Sequence, residues 1–236
     1  VEELRALKPS WIRYLVTAPY QNFQTGQNTE LDFVLERCRD LGIRVLVLIN
    51  PETINEAAPI SDPAGWGDAD AGYIGKITDA AQKIAAFYDG RIGALEMFNE
   101  PDSQDVLAQD YARMLVAGYR KIKAVSSVPV ILAGICCGQS HEYLRTVIQG
   151  APNSFDAVGW HYTERLAARA SQQTGAVQAL LCDKLQQSLH DLKARLDAAA
   201  QRHHSALVGV GVNPGFAMDT LPLVLSAACT AVCWLH

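Results

Sequence analysis

The sequence has little positive charge and no basic run. Its 236 residues include 20 Lys and Arg against 25 Asp and Glu, which gives a formal net charge of −5. A protein that binds nucleic acid through the phosphate backbone carries a basic patch or stripe on its surface. The composition therefore argues against nucleic acid as a partner of this chain.

Long apolar runs are also missing. The longest apolar stretch, residues 221–235, is interrupted by Pro222, Ser226 and Thr230, and it is shorter than the roughly 20 residues that a membrane-spanning helix needs. The first residues have neither the basic nor the apolar region of a signal peptide. We therefore expect a soluble chain without a membrane partner, either cytoplasmic or the mature form of a secreted protein.

Signatures of nucleotide, metal and disulfide chemistry are absent as well. No GxGxxG or Walker pattern follows a predicted strand, and the six cysteines show no CxxC or zinc-type spacing, so we expect buried free thiols. The pair His203 and His204 lacks a Cys or carboxylate at ligand spacing and is interpreted as a solvated helix end. Cys136 and Cys137 are interpreted as packing residues. The sequence thus predicts no metal and no cofactor.

The hydrophobic pattern, in contrast, is strong. Apolar residues make up 49% of the chain, which suits a large buried core in one domain over residues 1–236. Helical and strand patterns alternate along the chain, and right-handed crossovers then lead to an open doubly wound sheet or to a barrel. The predicted strands cover residues 11–16, 44–50, 92–98, 128–135, 155–162, 206–212 and 230–236.

Polar or aromatic residues at the strand ends favour the barrel. Asn50, Glu100, His161 and Trp234 each stand at or near the end of a predicted strand, whereas a doubly wound sheet concentrates its site at one switch point. We therefore predict an α/β fold of the (β/α)8 TIM-barrel type, with seven strands visible in this sequence.

Residues 92–102, IGALEMFNEPD, contain the most informative strand end. A short apolar run stops at Asn99 and Glu100, and Pro101 cannot continue the ladder, so a turn begins there. In a parallel barrel the carboxyl ends of the strands form the catalytic face. A polar turn without chemistry is the alternative, but the order of the elements favours a catalytic role for Glu100.

These residues resemble the retaining (β/α)8 glycoside hydrolases, a clan that includes cellulases, β-mannanases and β-xylosidases and whose fourth strand ends in Asn-Glu-Pro. The resemblance covers nearly the whole chain. It implies that Glu100 is the acid/base and that Asn99 holds the sugar 2-hydroxyl. It further implies that the partner is an oligosaccharide or glycoside with a β-linkage. The remaining matches are Arg13 beneath the nucleophile, His161 and Tyr162 in the sugar-binding cluster, and Trp234 as the floor of the subsite holding the sugar whose bond is broken.

Each of these assignments has a structural alternative. Arg13 could be a plain ion-pair partner in a core strand, His161 a satisfied core histidine, and Trp234 ordinary barrel filling. Trp66 lies in a long loop, residues 51–72, and could stack on a sugar face or anchor that loop. Asn50 is a further candidate for substrate binding because it follows a buried strand.

The chain departs from the family pattern at the nucleophile. A retaining glycosidase needs a second carboxylate about 5 Å from the acid/base, and the family places it in a Thr-Glu-x-Gly pattern on the seventh strand. Residues 208–211 read VGVG here, so Gly209 occupies the nucleophile position, or Gly211 if the register shifts by two residues. The remaining acids that could supply the charge are Asp219 and Glu164.

The family's first strand and last helix have no counterpart either. An incomplete barrel would expose two sheet edges, so we expect truncated ends or another segment in the gap. Three functions follow from the sequence. They are a glycosidase with a glycine in place of its nucleophile and impaired hydrolysis, a working hydrolase of unusual mechanism, and a non-catalytic carbohydrate-binding or structural barrel.

Overall fold

The computed structural model describes residue 5 and residues 9–135 and 141–160, which belong to one compact unit. The predicted strands over 206–212 and 230–236 and the predicted helix over 176–202 lie outside the described residues. The single-domain assignment for the whole chain therefore stays a prediction.

Helices and strands alternate through the described residues. In chain order the elements are strand β1 (Trp11–Leu15), the short strands β2 (Gln21–Asn22) and β3 (Gln27–Asn28), helix α1 (Thr29–Asp40), strand β4 (Arg44–Ile49), the short helix α2 (Pro51–Ile54), helix α3 (Gly72–Phe87), strand β5 (Ala94–Met97), helix α4 (Ala108–Lys123), strand β6 (Val130–Ile135), helix α5 (His141–Gly150) and strand β7 (Ala157–Trp160), with 3-10 turns at Ala18–Tyr20 and Pro63–Trp66.

Five of the strands form one parallel sheet. Its order, β1-β4-β5-β6-β7, follows the chain, and every neighbouring pair is parallel. Each crossover between neighbours contains a helix, as parallel strands require. The predicted α/β class with a parallel sheet is confirmed for the described residues.

Alternation along the strands separates two buried faces. Val45, Val47 and Leu95 belong to the apolar core that packs with the helices, whereas Leu46 and Leu48 lie on the opposite face and are buried as well. Strands with both faces covered read as unbroken apolar runs. This is why the sequence revealed β4 without any alternation of polar residues.

Helix α1 shows how local chemistry sets the boundaries. The Asn28 side-chain oxygen accepts a hydrogen bond from Leu31 N at 2.8 Å, which caps the helix and starts it at Thr29. Leu31, Leu35 and Cys38 are its buried residues. Gly42, with φ of +70°, ends the segment in the left-handed conformation that glycine adopts without strain.

Two regions predicted as irregular contain structure. The segment 19–28 includes the antiparallel pair β2 and β3, whose two-residue strands are too short for any periodicity to reveal. The long loop 51–72 includes α2 and a 3-10 turn, and two side chains of α4 donate hydrogen bonds to its backbone carbonyls. There Arg113 donates to Gly67 O and Lys121 donates to Ala69 O. None of the described helices is both long and apolar enough to cross a membrane.

Candidate active site

Neighbouring parallel strands bring the predicted site residues to one edge of the sheet. Strands β1, β4 and β5 lie side by side, so the carboxyl ends of β4 and β5 place Asn50 next to Asn99 and Glu100. Arg13 lies on β1 opposite Leu46. These four sequence candidates therefore form one cluster with direct hydrogen bonds between three of them.

Arg13 makes the central ion pair of this cluster. Its Nε donates to Glu96 Oε2 at 2.5 Å, and the Glu96 side chain is only 1% exposed. The other carboxylate oxygen of Glu96 accepts from Gly134 N on β6 at 3.0 Å. A buried charge is costly unless it is paired and hydrogen-bonded, and both conditions are met here.

The contact between Arg13 and Glu96 was not predicted from the sequence, in which Glu96 stood out only as a neighbour of the Asn-Glu-Pro motif. A signal was present, because a charged residue inside a buried strand requires a partner. Arg13 is the charged residue within the strand two positions away in the sheet. The ion pair is the one that the structural alternative for Arg13 anticipated, and Arg13 makes a further contact beyond it.

Asn99 is fixed by three side chains from three different segments. Arg13 Nη2 donates to its side-chain Oδ1 at 2.9 Å, and Asn50 Oδ1 accepts from its backbone N at 3.1 Å. Gln104 Nε2 donates to its backbone carbonyl at 2.5 Å. Nothing in the sequence pointed to Gln104, since a polar residue in a turn is normally solvated. Asn99 itself stays half-buried.

Asn50 is buried and contacts the backbone of Asn99. It is 6% exposed, and its side-chain nitrogen donates to Glu52 Oε2 at 2.6 Å while its oxygen holds Asn99. Its backbone N donates to the Thr53 hydroxyl, which in turn donates to Val16 O at 2.7 Å. The substrate-binding role expected for Asn50 from the sequence stays a prediction, and the contact that the structure shows is the one with Asn99.

The backbone around Glu100 is strained. Phe98 has φ of +77° and Glu100 has φ of +43°, which are conformations that residues with a side chain rarely adopt. Phe98 is fully buried, and its N donates to Ile49 O at 2.8 Å. Strain of this kind persists where surrounding contacts over-determine it, and it gathers at functional sites.

Glu100 is half-buried and begins a turn. Its carbonyl accepts from Ser103 N and from the Ser103 hydroxyl, both at 3.0 Å. Pro101 is followed by turn residues up to Asp105, as its lack of an N–H predicts. The carboxyl group therefore stands on a rigid strand-to-turn junction.

Trp66 does not have the exposure of a sugar platform. It is 2% exposed, and its ring packs edge-on against Tyr73, with centroids 5.4 Å apart and an interplanar angle of 81°. A ring that stacks on a sugar must present a free face. This packing is what the loop-anchoring alternative for Trp66 describes.

Several predicted site residues lie outside the described residues. They are His161, Tyr162, Gly209, Gly211 and Trp234, together with Glu164, Asp219, the pair Cys136 and Cys137, and the pair His203 and His204. Cys38 is described as a buried free thiol, and burial raises its pKa. Within the described ranges no group of three or more His, Cys, Asp or Glu side chains could hold a metal ion.

A family described as protein of unknown function DUF2894 matches residues 147–214. This is less than half of the chain, and most of it lies outside the described residues. No curated protein matches the sequence.

Solved structures give similarities of fold. One is a family 39 glycoside hydrolase from the gut symbiont Bacteroides cellulosilyticus, with 17% identity, 68% of this chain and 34% of that chain covered, and a TM-score of 0.51. Others are a family 1 β-glucosidase from Thermotoga maritima (11% identity, 62% and 39% covered, TM-score 0.42) and the virulence factor SghA from Agrobacterium tumefaciens (13% identity, 76% and 48% covered, TM-score 0.42).

The chain spans less than half of each of these three proteins. At these identities the likeness concerns the fold alone, and among the three it is the family 39 structure whose TM-score is high enough to support it. The described part of this chain thus shares its α/β architecture with a TIM-barrel glycoside hydrolase.

Proposed function

We propose that the chain is a glycoside hydrolase-like protein that binds β-linked glycosides, with Glu100 as the acid/base of a (β/α)8 barrel. The sequential, all-parallel order of the five strands supports the barrel, because each sector of such a barrel adds the next strand beside the last. The fold similarity to a family 39 glycoside hydrolase supports it as well.

The single observation that carries the function is the fixed pair Asn99 and Glu100 at the carboxyl end of β5. Asn99 accepts hydrogen bonds from Arg13 and Gln104 and donates one to Asn50, and Glu100 follows it in a left-handed backbone conformation. A catalytic site requires side chains whose position is set before substrate arrives. A solvated polar turn would need none of these contacts.

In this proposal Glu100 gives its proton to the glycosidic oxygen as the bond to the anomeric carbon breaks, and water forms the new bond to that carbon and releases a proton. The Asn99 amide hydrogen-bonds the sugar hydroxyl beside that carbon. Glu96 does not supply the second carboxylate, because it is buried and both of its oxygens already accept hydrogen bonds.

By the sequence, Gly209 stands at the position where the family has its second carboxylate, or Gly211 does if the register shifts by two residues. A glycine there cannot form the glycosyl-enzyme intermediate, so binding is retained while hydrolysis is impaired. A non-catalytic carbohydrate-binding or structural barrel remains the competing function, and it differs in giving Glu100 no role in bond cleavage.

The test combines calorimetric binding with hydrolysis of p-nitrophenyl β-glucoside, β-xyloside and β-mannoside. We expect wild type to bind at least one of them and Glu100→Gln to retain that binding. Any hydrolysis of analogues with poor leaving groups should fall by roughly 10²–10⁴-fold in this variant, the usual contribution of a general acid. The exposed residue Glu36 offers a matched control, Glu36→Gln, which should change neither quantity.

Gly209→Glu, with Gly211→Glu as the register control, then tests the vacant nucleophile. Restoring a carboxylate there should create or raise hydrolysis, because the oxocarbenium-like transition state needs the opposing charge. If wild type binds none of the glycosides, the proposed function is wrong. If it binds them but every folded variant is equally inert, the non-catalytic barrel is the better description.

A further inference from the structure

Glu96 is a buried carboxylate for which the proposed chemistry has no use. It lies in the middle of the sheet, fully buried, with one oxygen on Arg13 Nε and the other on Gly134 N. A buried ion pair of this kind is weak evidence for stability, since apolar residues of similar volume often serve as well. Its contacts therefore call for another explanation.

Arg13 connects Glu96 to the site through the two arms of its guanidinium. Nε contacts Glu96 at 2.5 Å, and Nη2 contacts Asn99 Oδ1 at 2.9 Å. The group is planar and rigid, so fixing one edge fixes the direction of the others. The position of Glu96 thus determines where the Nη2 donor meets Asn99.

The contact with Arg13 decides which way the Asn99 amide faces. Because Oδ1 accepts from a cation that donates only, the Nδ2 donor lies on the side away from Arg13. Asn50 and Gln104 hold the Asn99 backbone at the same time. The side chain therefore presents a hydrogen-bond donor at a fixed place.

We propose that Glu96 is a positioning residue of the sugar site. It holds Arg13 so that the amide of Asn99 is locked with its donor end toward the ligand, which makes the site selective for glycosides with an acceptor atom at that point. The inference rests on the proposed function, because a glycoside is the ligand that Asn99 is expected to meet.

An amide cannot replace the Glu96 carboxylate in this arrangement. Arg13 Nε and Gly134 N are both donors, and a glutamine has one acceptor oxygen and one donor nitrogen. In either orientation Glu96→Gln leaves one donor facing another. We expect this variant to lose stability as well as affinity, so it cannot carry the test alone.

Arg13→Lys and Asn99→Asp separate positioning from stability. A lysine still pairs with Glu96, but its single ammonium lacks a second arm for Asn99. An aspartate still accepts from Arg13 but has no donor. The control is Arg39→Lys, since Arg39 forms an exposed ion pair with Asp40 and has no contact with Glu96 or Asn99 among the described hydrogen bonds and ion pairs.

The measurement is calorimetric affinity for the p-nitrophenyl β-glycoside that wild type binds best and for its 2-deoxy analogue. For the parent glycoside we expect Arg13→Lys and Asn99→Asp each to weaken binding about tenfold or more, the loss of one charge-assisted or fixed hydrogen bond. For the 2-deoxy analogue the two substitutions should cause almost no loss of affinity, because this ligand lacks the hydroxyl that Asn99 is proposed to bind. Thermal melting of Arg13→Lys should stay close to wild type.

The outcomes separate the two ideas. If wild type binds no glycoside, the proposed function fails and this inference fails with it. If wild type binds but Arg13→Lys and Asn99→Asp bind both ligands as wild type does, the inference alone is wrong. An equal penalty on both ligands likewise overturns it, because a merely structural role would weaken binding without regard to the missing hydroxyl.

Discussion

The hydroxyl of Tyr111 donates to the carbonyl of Met97 at 2.8 Å and accepts from Ala133 N at 2.6 Å. Met97 is paired with Leu132 in the parallel ladder of β5 and β6, so Ala133 N is the group that would otherwise donate to Met97 O. A fully buried side chain from α4 therefore replaces one backbone hydrogen bond between β5 and β6. The replaced bond lies immediately before the strained segment that contains Glu100.

Tyr111→Phe should cost about 1 kcal/mol of unfolding free energy, the net contribution of an ordinary hydrogen bond. The change leaves Ala133 N as a donor and Met97 O as an acceptor. These two groups can form the missing backbone hydrogen bond if the strands move together at this point. Urea unfolding with an unchanged m-value would measure the cost.

The matched control is Tyr119→Phe, whose hydroxyl donates to Asp156 at 3.2 Å near the surface. This change should cost no more than about 0.5 kcal/mol. If Tyr111→Phe costs roughly 4 kcal/mol or more, the two backbone groups remain unpaired, because each unsatisfied buried group costs about 1–3 kcal/mol.

The strands and the position of Glu100 could be predicted because both depend on local sequence. An unbroken apolar run such as Val45 to Ile49 has few alternatives to a buried parallel strand. Pro101 begins the turn that follows β5, because its ring fixes φ and it has no N–H for a ladder. These signals do not require knowledge of which segments meet in space.

The contacts around Asn99 could not be predicted because they depend on sheet register. Arg13 and Glu96 are 83 residues apart in the chain, and they meet only because β1 and β5 flank β4 with a particular offset. The two alternatives for Trp66 could not be separated in the sequence for a related reason. Its surroundings in sequence are Gly, Asp and Ala residues, while in the structure it joins the apolar core and contacts Tyr73 on the following helix.

Trp66→Ala should lower the free energy of unfolding by about 3–5 kcal/mol, the usual cost of truncating a buried aromatic ring. The ring is buried in the core and leaves a cavity beside Tyr73. Chemical unfolding measures the loss. The control is Phe33→Ala, since Phe33 is 55% exposed on α1 and should change stability by about 0.5 kcal/mol or less. Equal losses for the two variants would contradict the burial of Trp66.

Buried tyrosines should make the fold sensitive to alkali. Burial raises the pKa of Tyr73, and the nearby Glu52 and Glu56 raise it further. Since the folded pKa lies above the unfolded value of about 10, the stabilisation is fully present below about pH 10 and is lost as pH rises above it. Each such tyrosine contributes a slope of about 1.4 kcal/mol per pH unit.

Tyr73→Phe tests this dependence with little structural cost. The Tyr73 hydroxyl is buried and has no hydrogen-bond partner among the described residues, so its removal should be close to neutral below about pH 9. Above about pH 10 the variant should lose stability less steeply than wild type, by roughly 1.4 kcal/mol per pH unit. Urea unfolding across this range is the measurement, and parallel curves for the two proteins would show that Tyr73 ionises freely in the folded state.

The support beneath Asn99 gives a further prediction. Asn50 uses its oxygen to hold Asn99 N at 3.1 Å and its nitrogen to donate to Glu52 Oε2 at 2.6 Å. Asn50→Asp keeps the acceptor for Asn99 but turns a donor toward Glu52 into a second negative charge. We expect a loss of about 2–3 kcal/mol in unfolding free energy, because a hydrogen bond to a charged group is replaced by like-charge repulsion.

Combining Asn50→Asp with Glu52→Gln in a double-mutant cycle tests whether the two side chains interact. In the double variant an amide at position 52 can donate to the new aspartate, so the Asn50→Asp change should cost about 1 kcal/mol or less in that background. The coupling energy from the cycle would then be about 1–2 kcal/mol, well above the error expected for independent sites. Additive costs would show that Glu52 does not contact Asn50 in solution. In that case the Asn50 amide would be free to turn, and the hydrogen bond that holds Asn99 N in place would have no fixed acceptor.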